Sequence, residues 1–388
     1  MKSVAIVGVG MTPVREHWSR SIGELAEEAG RFALEDAGLA TADALYVGNA
    51  YGATYNQQTQ LGSLIAGDLG LAGIESFSCE AGDASGGVAL RTGYLAVAAG
   101  AVKTVLVLGV EKATDVVGLA RNTARSVSLN ADYETVNGAT LTAMAGLLMR
   151  RYMVEHDVEL AQFEGFSINA HRNGARNRKA MYRNLLRPGS FGKAPMLAEP
   201  VSLFDSAPDA DGAAALVLAP ADEAVDLAPK PVLVAGSAVA TDTLMLQDRR
   251  DPLHFAAVQR SAAQALDQAG LAAGDLDLLE LHDGYTILTA LALEAMGLSE
   301  RGSGWAWAQA DGEQISLGGE LPLCTFGGLK SRGNPSGATG VYQAVEATLQ
   351  LRGEAGDNQV AGAETALAQN LGGLGSTAVT HVLSAIPE

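Results

Sequence analysis

At 388 residues the chain is longer than one ordinary domain and points to two or three packed units. Hydrophobic residues make up 48% and aromatics 5%, so the core rests on Ala, Val, Leu and Gly, as in a compact α/β protein and unlike a disordered chain. A formal net charge of −18 disfavours general binding to nucleic acid or anionic membranes, whose phosphates it repels. The chain opens on KSVAIVGVG (2–10), an apolar run ending in glycines, as a first buried strand does and a signal sequence does not. ALEDAGL (33–39) ends an amphipathic helix at Gly38, and LYVGNAYG (45–52) reads as the next strand. DASGGVALRTGYLAVAAG (83–100) starts a long helix on small residues, and AAALVLAP (213–220) closes the first half as a strand.

The second half repeats this order. KPVLVAGSAV (230–239) is a strand, ALDQAGL (265–271) a helix ending at Gly270, and LLELHDGY (278–285) a strand with its outgoing turn. NPSGATGVYQAVEATLQL (334–351) is again a small-residue helix start, and STAVTHVLS (376–384) a closing strand. The order β-α-β-α-β-β, written twice, predicts two similar α/β halves, 1–227 and 228–388, each a sheet covered by helices. An insertion at about 115–200 interrupts the first half. Its stretch 171–193 holds seven of the 26 Lys and Arg residues and no acid, a local positive field suited to phosphates, a solvated face or a partner surface. The two cysteines, Cys79 and Cys324, have no paired spacing, so neither a disulfide framework nor a cysteine metal site is expected. No run reaches the roughly 18 apolar residues needed to span a bilayer. The expectation is a soluble cytoplasmic protein.

If a pseudo-twofold relates the halves, the helix starts near Asp83 and Asn334 face each other across the joint. Helix N-termini favour an anion or a developing oxyanion. Ser336-Gly337 allows close backbone approach, His282 and Tyr285 come off a strand of the second half, and the turn around Gly373 completes a wall.

GVEKATD (109–115), DGAAA (211–215), HDGYT (282–286), GGLKSRGNPSGATG (327–340) and QNLGGLGSTAV (369–379) resemble thiolases of the sterol-carrier-protein and archaeal acetyl-CoA acetyltransferase type. The resemblance spans essentially the whole chain. It implies a duplicated thiolase fold in a five-layer arrangement with an inserted loop domain, acyl-CoA substrates, and coenzyme A present only as part of the substrate. It also implies a homodimer and, for the archaeal kind, a small zinc-ribbon and OB-fold partner protein.

Position by position, the catalytic set of such thiolases is largely replaced. Asp83 stands where they carry the nucleophilic cysteine, Asn334 where they carry the loop histidine, and Gly284 where they carry a second cysteine; His282 is kept. Covalent Claisen chemistry requires a nucleophile that accepts an acyl group and releases it later, and Asp83 at a helix start is a poor one. Asp and Asn are also favoured N-cap residues, so both replacements suit helix starts on structural grounds alone. Non-covalent carbon–carbon chemistry is the leading expectation, such as retro-aldol cleavage of a β-hydroxyacyl-CoA. Asp83, His282, Asn334 and Tyr285 are its candidate catalytic residues. Arg172, Arg176, Arg178, Lys179, Gly337 and Gly373 are candidates for holding CoA and substrate. The alternatives are a silent scaffolding homologue and a thiolase with a displaced nucleophile at Cys79.

Overall fold

The computed structural model describes residues 2–386. The first half runs β1 (Val4–Met11), α1 (Ile22–Asp36), β2 (Ala44–Gly48), α2 (Gly52–Tyr55), α3 (Leu61–Asp68), β3 (Glu75–Cys79), α4 (Ser85–Ala98) and β4 (Val105–Glu111). The insertion folds as α5 (Leu119–Arg125), α6 (Leu141–His156), α7 (Glu164–Arg176) and a small hairpin, β5 (Met196–Ala198) with β6 (Val201–Ser202). β7 (Gly212–Pro220) and α8 (Ala221–Leu227) return the chain to the core. The second half runs β8 (Val232–Thr241), α9 (Ala256–Ala269), β9 (Leu278–Glu280), α10 (Thr286–Ala295), a single-turn α11 (Gln309–Gly312), α12 (Thr339–Arg352), β10 (Thr365–Gly372) and β11 (Thr377–Ala385).

Local chemistry sets the helix limits. Ser21 and Glu24 form a reciprocal capping box at the start of α1. Gly38 and Gly270 take left-handed φ values of +65° and +68° just beyond α1 and α9, a conformation that strains any residue with a Cβ. Both predicted stops are therefore real.

The strands are ordered β3-β2-β4-β7-β1-β8-β11-β10-β9. Outward from the β1–β8 joint, β1-β7-β4-β2 and β8-β11-β10-β9 have the same senses, antiparallel, antiparallel and then parallel. This is the duplication seen in the repeats, with β3 added to the outer edge of the first half. β1 and β8 pair only through Ala5↔Leu233 and Ile6↔Val232, so the sheet folds at this joint. Its two halves close around α4 and α12, which contact strands of both. α1 covers the far face of the first half and α9 that of the second, giving alternating layers of helix, sheet, helix, sheet and helix.

The small residues at both central helix starts are required by their contact. A Cβ on Gly86 would lie 2.8 Å from the Gly337 carbonyl oxygen, and one on Gly340 would lie 2.4 Å from the Gly87 nitrogen. Both distances are below van der Waals contact, so α4 and α12 meet backbone to backbone. That contact brings the two helix starts to one place.

Candidate active site

Asp83 lies two residues ahead of α4 and is buried. It does not cap the helix, as its residue type suggests; Ala84 occupies that position, without a side-chain bond. The carboxylate instead turns toward the insertion. Oδ1 accepts from the Tyr51 hydroxyl at 2.9 Å and Oδ2 from the Arg125 guanidinium at 3.2 Å. Arg125 also donates to Asp209 at 2.6 Å, and the Tyr51 hydroxyl bonds Ser128 at 2.9 Å. Neither Tyr51 nor Arg125 stands out in the sequence. Tyr51 follows a strand in a loop, and Arg125 ends a two-turn helix otherwise bare of signals.

His282 follows β9, and its Nε2 is 4.0 Å from Asp83 Oδ2. Its tautomer follows from Asn370. The Asn370 Oδ1 accepts the Gly87 N–H at 3.2 Å, which turns its amide nitrogen toward His282 Nδ1 at 3.3 Å. Nδ1 is therefore the acceptor, and the proton sits on Nε2. Burial pulls the imidazole pKa down to about 4 against the pull of Asp83, so the ring stays neutral near pH 7.

Asn334 is likewise not a backbone cap. Its Oδ1 accepts from the Thr339 hydroxyl at 2.9 Å, which leaves the amide nitrogen without a protein partner among the described residues. Tyr285 bonds Thr142 through its hydroxyl at 2.9 Å. Asp83, Arg125, His282, Gly284, Tyr285, Asn334 and Gly373 surround a cavity of about 10 Å³, room for one water-sized group. The Asp83 and Gly373 N–H groups also carry no hydrogen bond among the described residues. The site thus joins one carboxylate to several N–H donors around a single small space.

Arg125 and Ala207 also line a second cavity of about 540 Å³, mostly apolar, whose walls include Leu185, Leu197, Leu203 and Phe204 with His171 and Lys330. The basic stretch supplies part of this wall, but not through its cations. Arg172 donates to the Asp311 carbonyl, Lys179 reaches the Met11 carbonyl at 2.7 Å, and Arg176 and Arg178 are exposed. None of the four lines either cavity. Gly337 is also behind the site, where its N–H donates to the buried Glu111 at 3.0 Å. Its backbone fits against Asn49 and Ala50, and a Cβ there would sit 2.4 Å from the Ala50 nitrogen. Of the six predicted binding residues, the structure brings only Gly373 to the inner cavity.

Cys79 does not reach it either. Cys79 ends β3 with its thiol near Thr92 at 3.8 Å, and it lines neither cavity. Burial pushes the thiol pKa up, the wrong direction for a nucleophile. Cys324 is buried too, its thiol pushed well up.

Two thiolase-type profiles cover most of the chain. "Thiolase, N-terminal domain" matches residues 4–188 and "Thiolase C-terminal domain-like" matches residues 238–385. The chain belongs to the thiolase family. It is 41% identical over 386 residues to an acetyl-CoA acetyltransferase of Methanothermobacter thermautotrophicus, covering 99% of this chain and all of that one. Human sterol carrier protein 2 is 29% identical over 407 residues, covering all of this chain and 73% of that protein. Among solved structures, "Ltp2-ChsH2(DUF35) aldolase" superposes with a TM-score of 0.87 at 24% identity, over 100% of this chain and 99% of that one. Human mitochondrial 3-ketoacyl-CoA thiolase superposes with a TM-score of 0.73 at 16% identity, over 100% and 99% of the two chains. The last two establish the fold alone.

Proposed function

We propose that this chain is an acyl-CoA enzyme that breaks, or in reverse forms, a carbon–carbon bond without an acyl-enzyme, by retro-aldol cleavage of a β-hydroxyacyl-CoA. The observation that carries this reading is the Asp83 carboxylate sharing one cavity with the free N–H groups of His282 and Asn334. Asp83 takes the proton of the β-hydroxyl, the Cα–Cβ bond breaks, and its electron pair moves into the thioester carbonyl. A ketone or aldehyde is released. The enolate oxygen accepts from His282 Nε2–H and Asn334 Nδ2–H, donors fixed before the charge develops. Asp83 then returns the proton to Cα. Arg125 holds the carboxylate in place, and the larger cavity beyond it takes the pantetheine arm and the acyl chain. The fold hosts both acetyltransferases and an aldolase, so the choice rests on these side chains and not on the scaffold.

The narrowness of the inner cavity and the Asp83–Arg125 ion pair across it favour a second reading, a silent scaffolding homologue. Turnover separates the two. Purified protein incubated with β-hydroxyacyl-CoA thioesters should release a carbonyl product and a shortened acyl-CoA, both read by mass spectrometry, while thiolysis of acetoacetyl-CoA stays at background. Binding of acyl-CoA with no carbon–carbon cleavage across the series would leave the scaffold reading. For assembly we propose a homodimer, supported by the unpaired outer edge of β3. We also propose a small zinc-ribbon and OB-fold partner, supported by the exposed apolar side chains of the insertion, among them Val117, Leu119, Tyr133 and Val136.

A further inference from the structure

Asp83 has a back side as well as a face toward the substrate cavity. Tyr51 donates to Oδ1 at 2.9 Å, and the same hydroxyl bonds Ser128 Oγ at 2.9 Å. Tyr51 is fully enclosed, whereas Ser128, on the insertion, is half-buried. Neither residue lines the inner or the outer cavity, so the chain of hydroxyls leaves Asp83 by a path separate from the substrate route. The separation has a consequence. A substrate group that enters a space of about 10 Å³ leaves no room for solvent beside it, and the acyl and pantetheine parts fill the approach past Arg125. Asp83 then has no solvent contact on the substrate side.

We propose that Ser128 and Tyr51 form a proton relay that exchanges the Asp83 proton with bulk water while substrate occupies the cavity. This rests on the reading of Asp83 as the proton-transfer group. Tyr51 keeps its phenol proton, since burial and the adjacent carboxylate push its pKa well above the ordinary value. It therefore acts by handing on protons and not by ionising. When Asp83 is protonated, its proton passes to the Tyr51 oxygen as the Tyr51 proton passes to Ser128 and that of Ser128 to water; the reverse movement reprotonates Asp83. Each oxygen gains one proton and loses one, and no charge is left on the relay. Tyr51 and Ser128 are positioning residues that act through Asp83, and they touch no substrate.

The test is isotope exchange. Acetyl-CoA with the protein in D2O should gain deuterium at its methyl group, because Asp83 abstracts a proton, trades it for deuterium through the relay and returns deuterium to the enolate. Without the relay the same proton goes back and no label enters. Tyr51→Phe and Ser128→Ala should each slow incorporation by roughly tenfold or more, and Ser128→Thr, which keeps a hydroxyl, should incorporate near the parent rate. Ser128 makes no hydrogen bond to Asp83 among the described residues, so its variant separates relay from placement of the carboxylate; coincident melting curves confirm that the variants fold. Incorporation at the parent rate in both Tyr51→Phe and Ser128→Ala overturns the relay while leaving Asp83 as the base. If the parent protein incorporates no label, the relay is overturned, since an Asp83 that returns its own proton gives the same result; if Asp83→Asn incorporates as fast as the parent, the reading of Asp83 fails and the relay with it.

Discussion

A cysteine placed before a helix start can accept an acyl group and release it; a carboxylate hydrogen-bonded by Tyr51 and Arg125 is a poor nucleophile for that step. Acetyl-CoA should therefore leave no stable acyl group on the protein, and iodoacetamide should not abolish carbon–carbon cleavage, since both thiols are buried. Intact-mass spectrometry and an assay after alkylation check the two outcomes. Asp83→Ala should lower cleavage by roughly 10²- to 10⁴-fold, the usual contribution of a positioned base. His282 has a separate effect on stability. Above pH 6.5 it is neutral in folded and unfolded chains alike. As pH falls from 6.5 toward about 4, only the unfolded chain takes up the proton, so stability is lost across that window. The loss is about 3 kcal/mol at full extent by linkage. Melting at pH 7 and pH 5 should show the drop, and His282→Asn should flatten that part of it. A rise in stability on acidification from pH 6.5, with the slope unchanged in His282→Asn, would contradict this account.

At the scale of elements, the candidate catalytic groups depend on the seam between α4 and α12. Gly87, within α4, orients Asn370, and Asn370 fixes the His282 tautomer, so the helix contact and the donor set are one structure. A Cβ on Gly340 would lie 2.3 Å from Asn370 Oδ1 as well as 2.4 Å from the Gly87 nitrogen. Gly340→Ala should therefore destabilise by about 2 kcal/mol or more through overpacking, visible as a lowered denaturation midpoint. It should also impair cleavage beyond what the remaining folded fraction explains, because Asn370 has to move. The seam was legible in the sequence because the same small-residue start occurs in both halves, and a periodic pattern needs no knowledge of tertiary placement. Five predicted site residues line the inner cavity: Asp83 and Asn334 were legible from those two starts, and His282, Tyr285 and Gly373 from the HDGYT segment and the glycine-rich turn that hold them. Tyr51, Ser128, Arg125 and Asp209 were not. They reach the site from a loop, from the insertion and from the approach to β7, and only the folded chain shows that they converge. Arg172, Arg176, Arg178 and Lys179 show the opposite failure: charge density along the chain marked a stretch whose apolar residues, such as Leu185, are the ones facing the cavity.

For the whole molecule, the outer edge of β3 is left unpaired among the described residues. β3 pairs with β2 on one side only, and Phe77 remains 44% exposed even though it packs against Tyr46, with ring centroids 4.6 Å apart. Unpaired strand edges with apolar side chains invite pairing with another strand, and a second copy offers the same edge in the antiparallel sense that a twofold axis demands. Charge opposes this association. Each chain carries −18, so two copies repel at long range, and the repulsion is screened once the Debye length falls to about 10 Å near 0.1 M salt. Light scattering at micromolar concentration should give twice the 39.8 kDa chain mass at 0.15 M salt, with dissociation favoured at low ionic strength. Phe77→Asp adds a like charge to each side of the joint and should shift the mass toward the monomer. A monomer at all salt concentrations would rule out the β3 edge as a self-association surface. A dimer indifferent to Phe77→Asp would move the interface to another face, of which the exposed apolar side chains of the insertion are the next to be tested.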